Sequence, residues 1–356
     1  MTPHPDSAFA RTIALLQTGI ADAAYPAVVC EVGRCVGPVW RYAAGRLSYD
    51  DDAPAVDEAT IFDLASLTKV IATTSLVMRQ VATAQWSLDT PVRDLLPWTP
   101  PGSDDVTIRH LLDHSSGLPA HVPLWQQATD AASLKALALQ VHLERPAGVA
   151  AVYSDIGFLL LGCALEAANQ QLLDRQWAQL RPADWPFLDY CPPASLRPTI
   201  APTEDDSWRG RRLQGEVHDE NAAVLGGVAA HAGLFGSAAA VGRFGADVLR
   251  TFREPTWLAT PALMRTFAAR QAVPGSSRAL GWDTMLPTSS CGTRLSPTSI
   301  GHTGFTGTSL WIDWERDLYV VLLTNRVHPT RSNARFPPMR ARIHDAIAED
   351  VADLND

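Results

Sequence analysis

Lysine is nearly missing from this chain of 356 residues: Lys69 and Lys135 are the only two, and every other permanent side-chain cation is an arginine. A site that needs a lysine therefore has two places to be. Acidic residues outnumber basic ones, 38 Asp and Glu against 29 Lys and Arg for a formal charge of −9, so the basic face required by a nucleic-acid-binding protein is not expected. The anionic excess favours solubility. The five cysteines, Cys30, Cys35, Cys163, Cys191 and Cys291, are odd in number, scattered and without a CxxC spacing, which argues against a disulfide framework and against a cysteine-rich zinc site. Long apolar runs are also missing. The longest, residues 156–165, is too short to span a bilayer and reads as a buried helix. The first 21 residues lack the basic-then-apolar order of a signal peptide. The expectation is a soluble protein of a reducing compartment, cytoplasmic, or periplasmic where a leader has been removed.

What is present is a large supply of core: 46% of residues are hydrophobic, enough for one domain or two. Residues 27–32 and 39–43 are β-rich runs around Gly33 and Gly37 and read as an antiparallel hairpin. From about Ala65 and Ser66 onward, Leu67, Val70, Ile71, Thr74, Val77, Met78 and Val81 recur every three or four residues, the spacing of a helix. Residues 86–241 alternate short helical patterns with Pro- and Gly-containing loops and show no strand-period run. Residues 308–313 and 318–324 flank a turn and form a second hairpin, and Met339, Ile343, Ala346, Ile347 and Val351 end the chain at helical spacing. Strands at both ends around a helical middle predict an α+β fold. An antiparallel sheet built from both termini (residues 1–85 and 242–356) is flanked by helices, and a mostly α-helical domain (residues 86–241) is inserted into it.

Three short segments carry chemistry. In Ser66-Leu67-Thr68-Lys69 the serine needs a base, and the residue three positions on along a helix lies beside it. The positive end of the helix and partial burial both disfavour an ammonium, so a neutral, basic Lys69 is expected. The bland reading is a helix-capping serine with a lysine in the first turn. In Tyr153-Ser154-Asp155 a tyrosine whose proton affinity is lowered by a nearby cation can relay a proton; otherwise Tyr153 is a loop aromatic and Asp155 an N-cap. In Gly301-His302-Thr303-Gly304-Phe305-Thr306-Gly307 closely spaced glycines let a ligand approach a strand edge, or simply make a tight turn into the hairpin.

In this order the three resemble the motifs of the serine β-lactamase and penicillin-binding-protein superfamily, in particular its class C β-lactamase-like branch of esterases, D-peptidases and muropeptide amidases. The family's elements are Ser-x-x-Lys, Tyr-x-Asn and Lys-Thr-Gly. Segments 110–118, 217–221, 226–227, 231–235 and 324–329 extend the resemblance, which covers roughly residues 25 to 350. It implies an acyl-enzyme hydrolase with no cofactor, with Ser66 as nucleophile, Lys69 as activating partner and Tyr153 as second acid/base. The N–H groups of Ser66 and Phe305 would form the oxyanion hole, with Asp155, His302, Thr303 and Gly304 lining the substrate side. The implied partner is a small ester, amide or peptide. Two departures stand out. Asp155 takes the place of the asparagine, and His302 replaces a lysine, leaving a cation only below about pH 6.5. Both argue against tuned recognition of a β-lactam carboxylate and are compatible with an esterase or amidase whose substrate is neutral or differently charged; the reading is esterase-like, with β-lactamase, D-alanyl-D-alanine carboxypeptidase or muropeptide amidase as alternatives. Tryptophans of the inserted region, Trp86, Trp98, Trp125, Trp177, Trp185 and Trp208, would give the cleft apolar walls.

Competing readings are weaker. His110, His114, His218 and His231 with Asp219 and Glu220 invite a metal, but no glutamate lies within the His110–His114 pair as in a zincin. Ser115 and Ser116 lack a Gly-x-Ser-x-Gly frame. A binding module that has lost catalysis would be expected to lack Ser66, Lys69 or Tyr153.

Overall fold

The structure, a computed structural model, describes residues 5–354. Its centre is a six-stranded antiparallel sheet of β1 (Ala27–Arg34), β2 (Gly37–Gly45), β3 (Asp283–Thr284), β4 (Ile300–Thr303), β5 (Ser309–Asp313) and β6 (Leu318–Thr324), in the order β2-β1-β6-β5-β4-β3. Strands from the two ends of the chain meet where β1 pairs with β6, Val28 opposite Thr324 and Glu31 opposite Val321. The sheet from both termini is thus present as expected.

Helices cover both faces. The alternation of side chains along each strand therefore sorts residues into two cores rather than into core and solvent. Val320 and Leu322 of β6 point with Val28 and Cys30 toward α1 (Ala10–Ala21) and the C-terminal α5 (Phe336–Asp353). Tyr319, Val321 and Leu323 point the other way, to the side of α4 (Ala238–Thr251). This is why residues 318–324 read as an unbroken apolar run.

Two further helices serve the site: α2 (Thr74–Ala82), preceded by a π-helical turn over Lys69–Thr73, and α3 (Asp155–Asn169). The apolar run of residues 156–165 lies in α3, buried apart from the half-buried Cys163, and among the described residues no single helix is long and apolar enough to cross a membrane. Ser154, rather than Asp155, caps α3 by accepting from the Gly157 N–H. The middle of the chain also holds strands the sequence did not signal. Leu188–Tyr190 and Leu234–Gly236 join Phe62–Asp63 in a three-stranded sheet, and Asp205–Asp206 pairs with Arg211–Arg212. Runs of two or three residues are too short to display a period of two. We propose that the chain divides into a sheet unit and an inserted, mostly helical unit near residues 86 and 241; the second limit falls inside α4.

Candidate active site

Residues 60–78 are buried with one exception, the half-buried Ser66. The chain enters it from the short strand Phe62–Asp63 and turns sharply at Ala65, whose φ of 47° is unusual for a residue with a Cβ. Asp63 holds that turn. Its buried carboxylate accepts from the Ala65 N–H at 2.8 Å and from the His218 N–H at 2.7 Å. Below the turn the helix is widened by the π-helical segment Lys69–Thr73, a feature frequent at functional sites.

Lys69 is fully buried. Its Nζ donates to Ser66 Oγ (3.1 Å), to Asp155 Oδ1 (2.7 Å) and to the His231 carbonyl (3.0 Å). An ammonium has three N–H donors, and here each has an acceptor. Burial disfavours the charge, but the Asp155 carboxylate and Tyr153 outweigh it, so Lys69 is raised above its ordinary value. The expected neutral-leaning lysine is corrected by this geometry: the residue that replaces asparagine is the counter-ion. Asp155 is reciprocally held far below the carboxylate range, where burial is overcome by Lys69 and by a hydrogen bond from His121.

Tyr153 shares a cavity with Ser66, and the Lys69 Nζ lies 4.9 Å from its ring centre. Lys69 does pull the proton affinity of Tyr153 downward, but the net effect is the reverse. Withdrawal from water raises the phenol, the pull of Lys69 is insufficient, and Asp155 opposes ionisation further. Tyr153 keeps its proton.

The third segment forms the facing wall. His302 on β4 is buried, with Nδ1 against the Thr303 carbonyl at 2.8 Å. Burial, then Arg278 and Lys69, push it well below the ordinary histidine value, so it stays neutral rather than acting as a cation that switches near neutrality. After it the chain turns at residues 304–307, and that turn is fastened to the strand leading to Ser66. Thr306 Oγ donates to the Asp63 carbonyl at 2.8 Å and Thr308 Oγ to the Leu64 carbonyl at 3.0 Å. Gly304 is required there, since a Cβ would come within 2.1 Å of Thr308 Oγ and 2.6 Å of the Leu64 carbonyl. Among the described residues the N–H groups of Ser66 and Phe305 enter no hydrogen bond.

Ser66, Tyr153, His302, Thr303, Gly304 and Phe305 thus line one cavity of ≈ 290 Å³. Lys69 and Asp155 lie behind Ser66. Sequence reasoning missed the cavity's charge, which comes from Arg278, Arg326 and Arg340 against a single carboxylate, Asp283. The three arginines come from separate loops and from α5, so no local pattern marks them. None of the six tryptophans lines this cavity; Trp98 and Trp177 are in the core, and Trp208 lines a separate cavity of ≈ 370 Å³ with Cys191 and Phe235. The histidines considered for a metal have other partners. His110 faces Thr107, His218 pairs with Glu204 and His231 with Asp219. Among the described residues no group of three or more His, Cys, Asp or Glu is placed to hold a metal ion. Ser115 and Ser116 are buried, Ser115 donating to Asp113.

The family model described as Beta-lactamase matches residues 13–342. The chain belongs to the beta-lactamase family. Within that family of serine hydrolases it is 28% identical to a putative D-alanyl-D-alanine carboxypeptidase of Escherichia coli (strain K12), over 89% of this chain and 82% of that protein. It is 31% identical to an N-acetylmuramyl-L-alanine amidase of Bacillus subtilis (strain 168), over 76% of this chain and 68% of that one. Among solved beta-lactamase-like structures it is similar to EstCE1, a hydrolase with promiscuous acyltransferase activity, with a TM-score of 0.76 and 22% identity over 96% of this chain and 99% of the other. The fold is shared with that neighbour.

Proposed function

We propose that this protein hydrolyses a small ester or amide through an acyl-enzyme on Ser66, with an esterase-like preference. The observation that carries the reading is the contact of Lys69 Nζ with Ser66 Oγ at 3.1 Å in a buried ion pair. Lys69 activates Ser66 as a fixed positive charge, stabilising the alkoxide as it forms. Tyr153, protonated and lining the same cavity as Ser66, passes its proton to the leaving oxygen or nitrogen while taking the Ser66 proton. In deacylation it takes a proton from water and returns its own to Ser66 Oγ. The spare N–H groups of Ser66 and Phe305 hold the carbonyl oxygen as it becomes negative. His302 and Thr303 present a strand edge to the substrate.

A second reading, a carboxypeptidase- or amidase-like hydrolase, is favoured by one observation. The Arg278 guanidinium lies 5.1 Å from the Tyr153 ring centre, and no ion pair engages it among the described residues. That places a free cation beside the proton donor to the leaving group, suited to a leaving group that carries a carboxylate. The names of the two curated relatives agree with it. Exposure to a fluorophosphonate or a β-lactam tests the covalent step: mass spectrometry is expected to find an adduct on Ser66 that is lost in S66A. Absence of an adduct with both reagents would overturn it. A panel of p-nitrophenyl esters, nitrocefin, D-alanyl peptides and muramyl peptides ranks the two readings.

A further inference from the structure

We infer that His114 is a positioning residue for Tyr153, fixing the tyrosine through its own carbonyl and ring nitrogen. The inference rests on the acid/base role proposed for Tyr153. The amides on the two sides of that residue both end on His114. The Val152 N–H donates to the His114 carbonyl at 2.8 Å, and the Ser154 N–H donates to His114 Nδ1 at 3.1 Å. The imidazole also packs on the Tyr153 ring, with ring centres 4.7 Å apart, and on Phe158 at 5.3 Å. One residue thus sets the height of the Tyr153 backbone, through its carbonyl and its ring nitrogen, and its imidazole sets the tilt of the Tyr153 ring.

Two features separate this from ordinary packing. His114 is buried with φ of 62°, a left-handed conformation that few residues with a Cβ adopt and that persists where the surroundings enforce it. Accepting at Nδ1 also fixes the tautomer, because that nitrogen must carry no proton and the hydrogen resides on Nε2. Burial, then Arg278, Lys69 and His302, hold the ring well below the ordinary histidine value, so the acceptor persists across the working pH range. Neighbouring contacts brace the same segment: Ser154 Oγ donates to the Pro119 carbonyl at 2.6 Å and the Asp155 N–H to the Ala120 carbonyl at 2.9 Å. Those two fix the start of α3, whereas His114 alone holds both sides of Tyr153.

The test compares variants that keep or lose the acceptor. Asparagine places an oxygen near the Nδ1 position and tolerates the left-handed conformation; alanine offers no acceptor, and glycine offers none while relieving φ. With a p-nitrophenyl ester, kcat of H114A and H114G is expected to fall on the order of 10²-fold, as for a misplaced catalytic group, with KM little changed. H114N recovers most of the loss. In a Y153F background the further cost of H114A shrinks to less than about threefold, because the two residues act as one unit. Nitrogen-15 NMR shows a neutral Nε2–H tautomer of His114. An undiminished loss in the Y153F background, or H114N as poor as H114G at equal thermal stability, overturns the inference. A Y153F enzyme as fast as the wild type would instead overturn the role of Tyr153 itself, and a loss of Ser66 labelling would overturn the covalent reading.

Discussion

Lys69 and Asp155 form an ion pair of 2.7 Å inside the protein, and the same ammonium holds Ser66 Oγ at 3.1 Å. The carboxylate that stands where the resembled motif has an asparagine therefore favours the charged form of Lys69. With asparagine at position 155, burial would be the dominant influence and would favour the neutral amine. With aspartate, the charged pair is the stable form.

The pH profile follows from that pair. Lys69 is raised above its ordinary value of 10.5, so the wild-type rate is expected to hold to the alkaline limit of protein stability. D155N removes the counter-charge, lowers Lys69, and brings a falling alkaline limb of kcat/KM down by a pH unit or more. A profile unchanged in D155N would show that the Lys69 charge is not needed.

Stability carries the matching signature. The contribution of Asp155 is present in full above its ordinary value of 3.8 and is lost as pH falls through its depressed native value. That of Lys69 is present below 10.5 and is lost as pH rises through its elevated native value. The pair is thus fully formed between these limits. Breaking it with K69M leaves a carboxylate without its partner and costs about 3–5 kcal/mol. K69M/D155N, with both charges gone, is expected to be more stable than K69M by urea denaturation at pH 7, while remaining inactive. A double variant less stable than K69M would contradict this.

Thr306 and Thr308 tie the Phe305 turn to the strand before Ser66 at 2.8 and 3.0 Å, so they set the gap between the two spare N–H groups. T306V and T308V are expected to lower kcat with little change in KM, toward the roughly 10²–10³-fold loss of an oxyanion donor. Affinity for a boronate that mimics the tetrahedral intermediate falls in proportion to kcat/KM, and T306S restores both. Unchanged boronate binding in a slow T306V would assign these residues to structure alone.

Arg278 makes the cavity's charge testable. Between matched esters with and without a carboxylate on the leaving phenol, the wild type is expected to favour the charged one by about tenfold, the worth of one charge-assisted hydrogen bond. R278M loses that preference, and salt erodes it in the wild type. Equal kcat/KM for the two esters would favour the neutral-ester reading.

The legible parts of the molecule were those written locally. Residues 318–324 announced a strand because every side chain enters one of two cores, and the helix from Ser66 onward announced itself by spacing. Its π-helical turn at Lys69 left no trace, because a shift of one hydrogen bond does not alter which residues are apolar. The short strands at 188–190 and 234–236 were invisible for want of length.

By itself the sequence determined the fold class and singled out Ser66, Lys69, Tyr153 and the His302 turn as candidates in one order along the chain. Tertiary structure alone decided their charge states: Lys69 protonated, Tyr153 protonated, His302 neutral, and the positive charge of the cleft supplied by Arg278, Arg326 and Arg340. The reason is physical. Backbone form follows from neighbours along the chain, whereas protonation follows from burial and from charges a few ångströms away, and residues 69 and 155 are 86 positions apart.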